Sequence, residues 1–438
     1  MTNVGLAAQV IDKGRISRQQ ILVVVLCMFF NMVDGFDIIA MAVVAGEVSR
    51  EMMLPADKVG WIFSFALAGM VAGAMLLAPI SDIVGRRKVI VVSIIVVGVS
   101  ILLTANASTL TEFIALRFIS GLGAGVMLAS QATLAAEYSP EKYRSLSVTF
   151  VTSGYALGAM LTSVAAGLIL PDYGWRGMFW FGGATTLAMG MVAWLLIPES
   201  LKYLLERRPR DALQRINNIL TKLNRDPLLQ LPEIAPEQQK QPLGVVQVMA
   251  QLLAKEHRKV TLTLWTTFFL AFSALYFLMS WIPMLVEDAG FSAADARDAF
   301  FLFNLGGVIG VWILGILSTR WKLTNIVFVL MFSASIFMVV FAAIPGDIDF
   351  LLTLIFIIGL LQQGGFTGLY AAAAKAYPTS MRSTGIGWSI GLGRFGAVAG
   401  PAVAGYLIAG GLDMAANFYI FAVPLAASAI IAYRLHLR

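Results

Sequence analysis

Residues 21–44 read ILVVVLCMFFNMVDGFDIIAMAVV, and this stretch decides what kind of protein the chain is. A helix needs about 20 apolar residues to cross the hydrocarbon core of a bilayer, and this run is long enough. Inside it lies Asn31-Met32-Val33-Asp34-Gly35-Phe36-Asp37, with two carboxylates three residues apart. That spacing places Asp34 and Asp37 on one helix face. A carboxylate at bilayer depth costs about 2.5–3.5 kcal/mol even on the insertion scale, and such residues mark proton or ion paths. The competing reading is structural: buried cations satisfy both aspartates and only tie helices together.

Similar apolar runs recur at about 59–80, 89–104, 111–136, 146–170, 178–197, 260–285, 299–317, 325–343, 350–374, 384–410 and 417–433. With the first they predict a membrane protein of about twelve spans. Composition agrees: 59% of the 438 residues are hydrophobic and 13% are charged, against roughly 25% charged in soluble domains. The polar segment 1–20 and the length of the first apolar run argue against a cleavable signal peptide. Cys27 is the single cysteine, so no intrachain disulfide and no cysteine metal cluster is expected. The net charge of +6 points to membrane topology rather than nucleic acid, because its distribution is one-sided.

With the N-terminus placed inside, the inner loops hold 25 of the 31 basic residues and the outer loops hold Arg50, Lys58, Arg176 and Arg297. Both termini are therefore expected in the cytoplasm. Residues 1–20 form a tail, 21–198 and 260–434 two sets of six spans, and 199–259 a cytoplasmic linker. In that linker Asp211 caps a predicted amphipathic helix, 225–242 is Pro- and Gln-rich, and 243–253 forms a second short amphipathic piece.

The two sets look related. Ala78-Pro79-Ile80-Ser81-Asp82 follows span 2, and Gly315-Ile316-Leu317-Ser318-Thr319 follows span 8. Tyr138-Ser139-Pro140 with Arg144 follows span 4, and Tyr377-Pro378 with Arg382 follows span 10, at nearly the same offset. An internal six-span repeat is the architecture of secondary transporters, whose binding site lies at the bilayer midplane between repeats.

A helical rise of ~1.5 Å per residue gives depth. Asp34, Asp37 and Arg117 fall in one outer-central layer, and depth alone does not say which aspartate meets the arginine. Arg394 falls at the midplane. Every acid after Lys259 (Glu287, Asp288, Asp295, Asp298, Asp347, Asp349 and Asp413) lies in a predicted outer loop. Arg394 thus has no acidic partner in its own half, and buried cations are normally paired. Its partner is either an aspartate of the first half or a ligand carboxylate, which a guanidinium fork fits with both oxygens. A planar acid also needs apolar walls and a few polar groups. Candidates are Asn31, Phe36, Tyr155, Tyr276, Trp281, Asn304, Gln362, Gln363, Phe366 and Trp388. His257 and His436 sit at inner edges, which argues against a buried histidine relay. No nucleophile–base pair is visible, which argues against an enzyme.

At the loops the chain resembles the major facilitator superfamily. Ala78-Pro79-Ile80-Ser81-Asp82-Ile83-Val84-Gly85-Arg86-Arg87 is similar to that family's signature between spans 2 and 3, with Ala78 and Ile83 departing from it. Arg117-Phe118-Ile119-Ser120-Gly121-Leu122-Gly123-Ala124-Gly125 resembles its span 4 element, and Pro198-Glu199-Ser200 ends span 6 as in many members. Within the superfamily, Asp34-Gly35-Phe36-Asp37 and Gly391-Leu392-Gly393-Arg394-Phe395-Gly396 look like the bacterial aromatic acid:proton symporters. The resemblance implies an all-α fold of twelve transmembrane helices in two pseudo-symmetric six-helix bundles, in the bacterial inner membrane. It implies symport of a benzoate- or hydroxybenzoate-type anion, with muconate-type dicarboxylates or anion export as rivals. The expected partners are that anion, protons and membrane lipid, with a monomeric protein and no cofactor beyond the proton gradient. Asp34, Asp37 and Arg117 would couple protons. Asp82, Gly85 and Arg86 would form the inner gate, Asp82 capping a helix of the other half.

Overall fold

A computed structural model describes residue 11 and residues 16–231, 245–344, 346–377 and 382–435. Pro378, His436 and most of the Pro- and Gln-rich linker segment lie outside the described residues. Every long element is helical, as a bilayer requires when no water is present to satisfy backbone N–H and C=O groups. Among the described residues, eleven helices are long and apolar enough to cross a membrane. The first five are α1 (Arg18–Glu51), α2 (Ala56–Ala72), α3 (Arg86–Thr104), α4 (Leu110–Tyr138) and α5 (Glu141–Leu196). Then come the short α6 (Leu201–Arg207), α7 (Ala212–Lys222) and α8 (Val245–Leu252). The second set is α9 (Arg258–Asp288), α10 (Ala293–Leu317), α11 (Leu323–Ala343), α12 (Ile348–Ala376), α13 (Arg382–Ala409) and α14 (Met414–Tyr433).

Polar caps set where these helices begin. Ser17 with Gln20, Thr109 with Glu112, and Ser292 with Asp295 form reciprocal capping boxes at α1, α4 and α10. The fifth and sixth apolar runs are carried together on α5. Its 56 residues are broken at Gly174, whose φ of 58° and ψ of −168° depart from the helix. The left-handed φ favours glycine, and the turn lets one half of α5 fold back beside the other. α2 continues past Ala72 through a π-turn and a short 3₁₀ turn to Val84. Asp211 precedes α7 as expected, but in a left-handed conformation and without a side-chain cap, so the predicted capping interaction is not formed.

The helices pack as two bundles with the same pairing pattern. α1 lies on α5 and α2 on α4, while α9 lies on α13 and α10 on α12. α3 packs on α4 and α5 as α11 packs on α12 and α14. Small residues permit the closest crossings. A Cβ on Gly35 would overlap the Tyr155 carbonyl, and one on Gly158 would overlap that of Met32.

Between the bundles, α2 runs against α13. At the end holding residues 52–55 and 410–413, here called the distal end, the backbones nearly touch. A Cβ on Gly60 would lie 2.8 Å from the Pro401 carbonyl, and one on Gly405 would lie 2.7 Å from that of Ala56. Towards the other end, which carries the linker, a Cβ on Gly391 would reach only the tip of Met75, at 3.8 Å. The seam is therefore shut distally and loosens towards the linker end. Trp61 Nε1 donates to Tyr406 Oη (2.9 Å) and Ser64 Oγ to the Val398 carbonyl (2.7 Å) across it, and Arg50 of α1 pairs with Glu287 of α9 (3.1 Å) between the bundles.

Candidate functional site

Glycine packing of α1 on α5 places Asp34 and Asp37 at mid-depth, facing the bundle interior. α4 brings Arg117 to meet them. Arg117 Nη2 lies 2.7 Å from Asp37 Oδ1, and Nη1 donates to the Asp37 carbonyl at 3.2 Å. Their side chains are 1% and 2% exposed, and the guanidinium also lies over the Phe179 ring at 5.1 Å. Asp34 is equally buried, yet neither of its carboxyl oxygens has a hydrogen-bond partner among the described residues. An unpaired carboxylate is costly in such surroundings, and a protonated one far less so.

Arg394 sits on α13, partly buried, where the two bundles face each other. Among the described residues no acid lies within ion-pair distance of it; its Nη1 instead meets Met70 Sδ at 2.8 Å, on the opposite bundle. The Arg394 charge acts on Asp34 and on the hydroxyls of Tyr155, Tyr276 and Tyr370. The Tyr155 and Tyr276 hydroxyls approach each other from the two bundles, without a well-formed hydrogen bond for Tyr155.

An aromatic wall adjoins the cation. Phe272 and Phe366 meet edge to face at 4.7 Å, Phe366 meets Tyr370 at 5.5 Å, and Phe272 meets Tyr276 at 6.0 Å. Gln362, one turn before Phe366, donates weakly to the Ala271 carbonyl and leaves its Oε1 without a donor. Asn31, one turn before Asp34, donates to the Val151 carbonyl at 2.7 Å and likewise leaves Oδ1 without one. A small cavity lined by Ile38, Ala66, Leu67, Arg117, Tyr276 and Ser280 lies just distal of this layer.

Other candidates are placed elsewhere. Phe36 packs edge-on against Phe181 and over Gly182. Two residues from Asp34 is about 200° around a helix, so its ring enters the α1–α5 seam instead. Trp281 is fully buried, donates to the Pro401 carbonyl at 3.1 Å and meets Phe63 edge-on, so it plugs the distal seam. Its position five residues beyond Tyr276 carries it about 7 Å further along α9. Asn304 donates to its own helix at Phe300, and Gln363 to the Phe303 carbonyl in the α10–α12 contact. Trp388 is half-buried against the core.

The linker-end motif is tied into its own bundle. Arg86 bonds Asp82 and Glu137, each at 3.0 Å, and Glu137 accepts from Ser200 Oγ at 2.6 Å. Glu199 accepts from the Arg87 amide, and Tyr138 donates to the Glu199 carbonyl. Gly85 turns with φ 110° where a Cβ would strike the Glu199 carboxylate. The expected capping of a second-bundle helix by Asp82 is not formed among the described residues: its side chain is 64% exposed and pairs with Arg86, and residues 378–381 before α13 lie outside the described residues. Met70, Tyr370, Phe272, Glu137 and Glu199 were not singled out as site residues by sequence. Glu137 and Glu199 carried a readable signal, each as an acid at the end of an apolar run.

The Major Facilitator Superfamily profile matches residues 24–349, well over half of the chain. Among curated relatives, the 4-hydroxybenzoate transporter PcaK of Pseudomonas putida is 32% identical over 390 residues, covering 89% of this chain and 86% of that protein. The benzoate transport protein of Acinetobacter baylyi is 30% identical over 432 residues, covering 95% and 89%. Among solved structures, the xylose transporter XylE of E. coli in an inward-open conformation superposes with a TM-score of 0.72 at 14% identity, covering 95% of this chain and 96% of that one. A bacterial homolog of the human lysosomal transporter Spinster, inward-facing and occupied, gives 0.72 at 15% identity, covering 97% and 98%. The chain belongs to the major facilitator superfamily. It is a multi-pass membrane transporter rather than an enzyme.

Proposed function

We propose that this member of the major facilitator superfamily takes up an aromatic carboxylate together with protons, by alternating access across the bacterial inner membrane. Reading α5 as two spans broken at Gly174 gives twelve, in bundles 21–198 and 260–434 joined by the linker 199–259. The one-sided distribution of Lys and Arg supports cytoplasmic termini. The linker end then faces the cytoplasm, and the shut distal seam faces outside. The protein works as a monomer, since each chain carries both bundles and the site between them.

The observation that carries the reading is the pair of unmatched groups at one depth: Arg394 without an acid and Asp34 without a donor, beside an Asp37 already paired with Arg117. Arg394 takes the substrate carboxylate, and Asp34 takes the proton. Tyr276, Tyr370, Phe272 and Phe366 supply the wall for a ring, and the open oxygens of Asn31 and Gln362 are acceptors for ring substituents. Coupling follows from charge. Empty, the facing groups are +1 and −1; with proton and anion both bound, each side is neutral. A half-loaded site holds a net charge that closure would desolvate, which is costly in a membrane interior. Rocking is thus favoured only when the site is empty or fully loaded.

The test is uptake of labelled 4-hydroxybenzoate, benzoate and muconate into proteoliposomes under an imposed pH gradient. Accumulation of an aromatic acid that collapses with the gradient is expected. No uptake of any aromatic acid overturns the substrate class, and gradient-independent uptake overturns the symport.

A further inference from the structure

The Arg394–Met70 contact joins two rigid bodies. α2 is locked to α4: a Cβ on Gly121 or Gly125 would overlap the carbonyl of Ala66 or Met70. α13 is locked to α9 in the same way, through Gly396 against the Phe269 carbonyl and Gly400 against that of Ser273. Met70 therefore moves with the first bundle and Arg394 with the second. They meet where the α2–α13 seam passes from backbone contact to side-chain contact. Met70 is 2% exposed, so its sulfur meets the guanidinium inside the seam and away from its surface.

The chemistry of this contact is unequal. A thioether is a weak acceptor and carries no charge. It occupies one nitrogen of the fork and leaves the cation unneutralised. A carboxylate offers two charge-assisted bonds, each roughly twice as strong as a neutral one. We propose that Met70 is a positioning residue for the carboxylate clamp: its sulfur holds the Arg394 guanidinium across the seam while the site is empty, and the incoming organic anion displaces it. Displacement also breaks a tie between the bundles, at the height where they must part. This proposal rests on the functional reading above.

The test compares Met70→Leu, close in size but without an acceptor, with Met70→Gln, a stronger acceptor, in the full chain reconstituted with labelled 4-hydroxybenzoate. Loss of one modest hydrogen bond corresponds to about fivefold, so the leucine variant is expected to lower KM by about that factor. The glutamine variant is expected to raise KM, with the maximal rates of both within about twofold of wild type. A purely structural role predicts loss of maximal rate or thermal stability without that ordering of KM. An unchanged or raised KM for Met70→Leu overturns the proposal, and this variant decides alone if Met70→Gln does not fold. Wild-type uptake without the KM ordering sinks only the role of Met70. Absence of wild-type uptake sinks the functional reading and this proposal with it.

Discussion

Asp37 and Arg117 form an ion pair at 2.7 Å through Oδ1 and Nη2, with Asp37 Oδ2 left without a donor, while Asp34, one helical turn away on the same face, has no partner for either oxygen. Two aspartates that look equivalent in the chain therefore sit in opposite electrostatic situations. One is neutralised by a guanidinium of its own bundle. The other is buried without an ion pair or a hydrogen-bond donor among the described residues.

Asp37→Asn leaves Arg117 buried without its counterion. Removing one partner of a buried pair costs about 3–5 kcal/mol. The variant is expected to lose thermal stability in detergent, and replacing Arg117 by Met in the same chain is expected to restore much of it. An Asp37→Asn protein as stable as wild type would show that the pair is not needed for the fold.

Asp34→Asn removes no ion pair, so the melting temperature is expected to stay close to that of wild type. Uptake driven by a pH gradient is expected to fall to background, while exchange of labelled for unlabelled substrate continues. Accumulation that still follows the gradient in this variant would take the proton away from Asp34.

Arg394→Lys keeps the charge and loses the fork. A bidentate carboxylate clamp is expected to lose about 1.5–3 kcal/mol, the worth of a hydrogen bond to a charged group, or roughly 10- to 150-fold in KM. Arg394→Gln is expected to abolish saturable uptake. A lysine variant with wild-type KM would mean that the guanidinium does not hold the substrate.

Glu287→Gln breaks the distal tie to Arg50, whose side chain is 65% exposed. Exposed pairs are worth at most about 1 kcal/mol, so stability is expected to change little. The distal opening is expected to become more frequent, up to about fivefold on the same energy scale. Labelling of a cysteine placed at Ser64 by an impermeant thiol reagent measures this. No change in the labelling rate would show that the pair does not hold the seam.

Much of the fold was legible because a bilayer restricts the choices. Uninterrupted apolar length predicts a helix where backbone groups find no water. The repeat was legible in loop motifs, and the pairing of α1 with α5 and α9 with α13 matches it. The fifth and sixth apolar runs end at 170 and resume at 178, and the non-helical Gly174 of α5 lies in that gap. Phe36 and Trp281 show the limit for the site. Both are aromatic and near the right depth, yet rotation about the helix axis sends one into a seam, and a step of five residues sends the other to the distal plug.

The sequence by itself determined the membrane class, the charged residues at mid-depth, and the lack of any acid near Arg394 in its own half. These follow from residue type and from position along a helix of known rise. Only the tertiary structure decided that Arg117 meets Asp37 and not Asp34, and that Arg394 lies against Met70. Asp34 and Asp37 differ by about 4.5 Å in height and share a face. The choice between them rests on how α4 is rotated and packed against α1, which no periodicity along a single helix records.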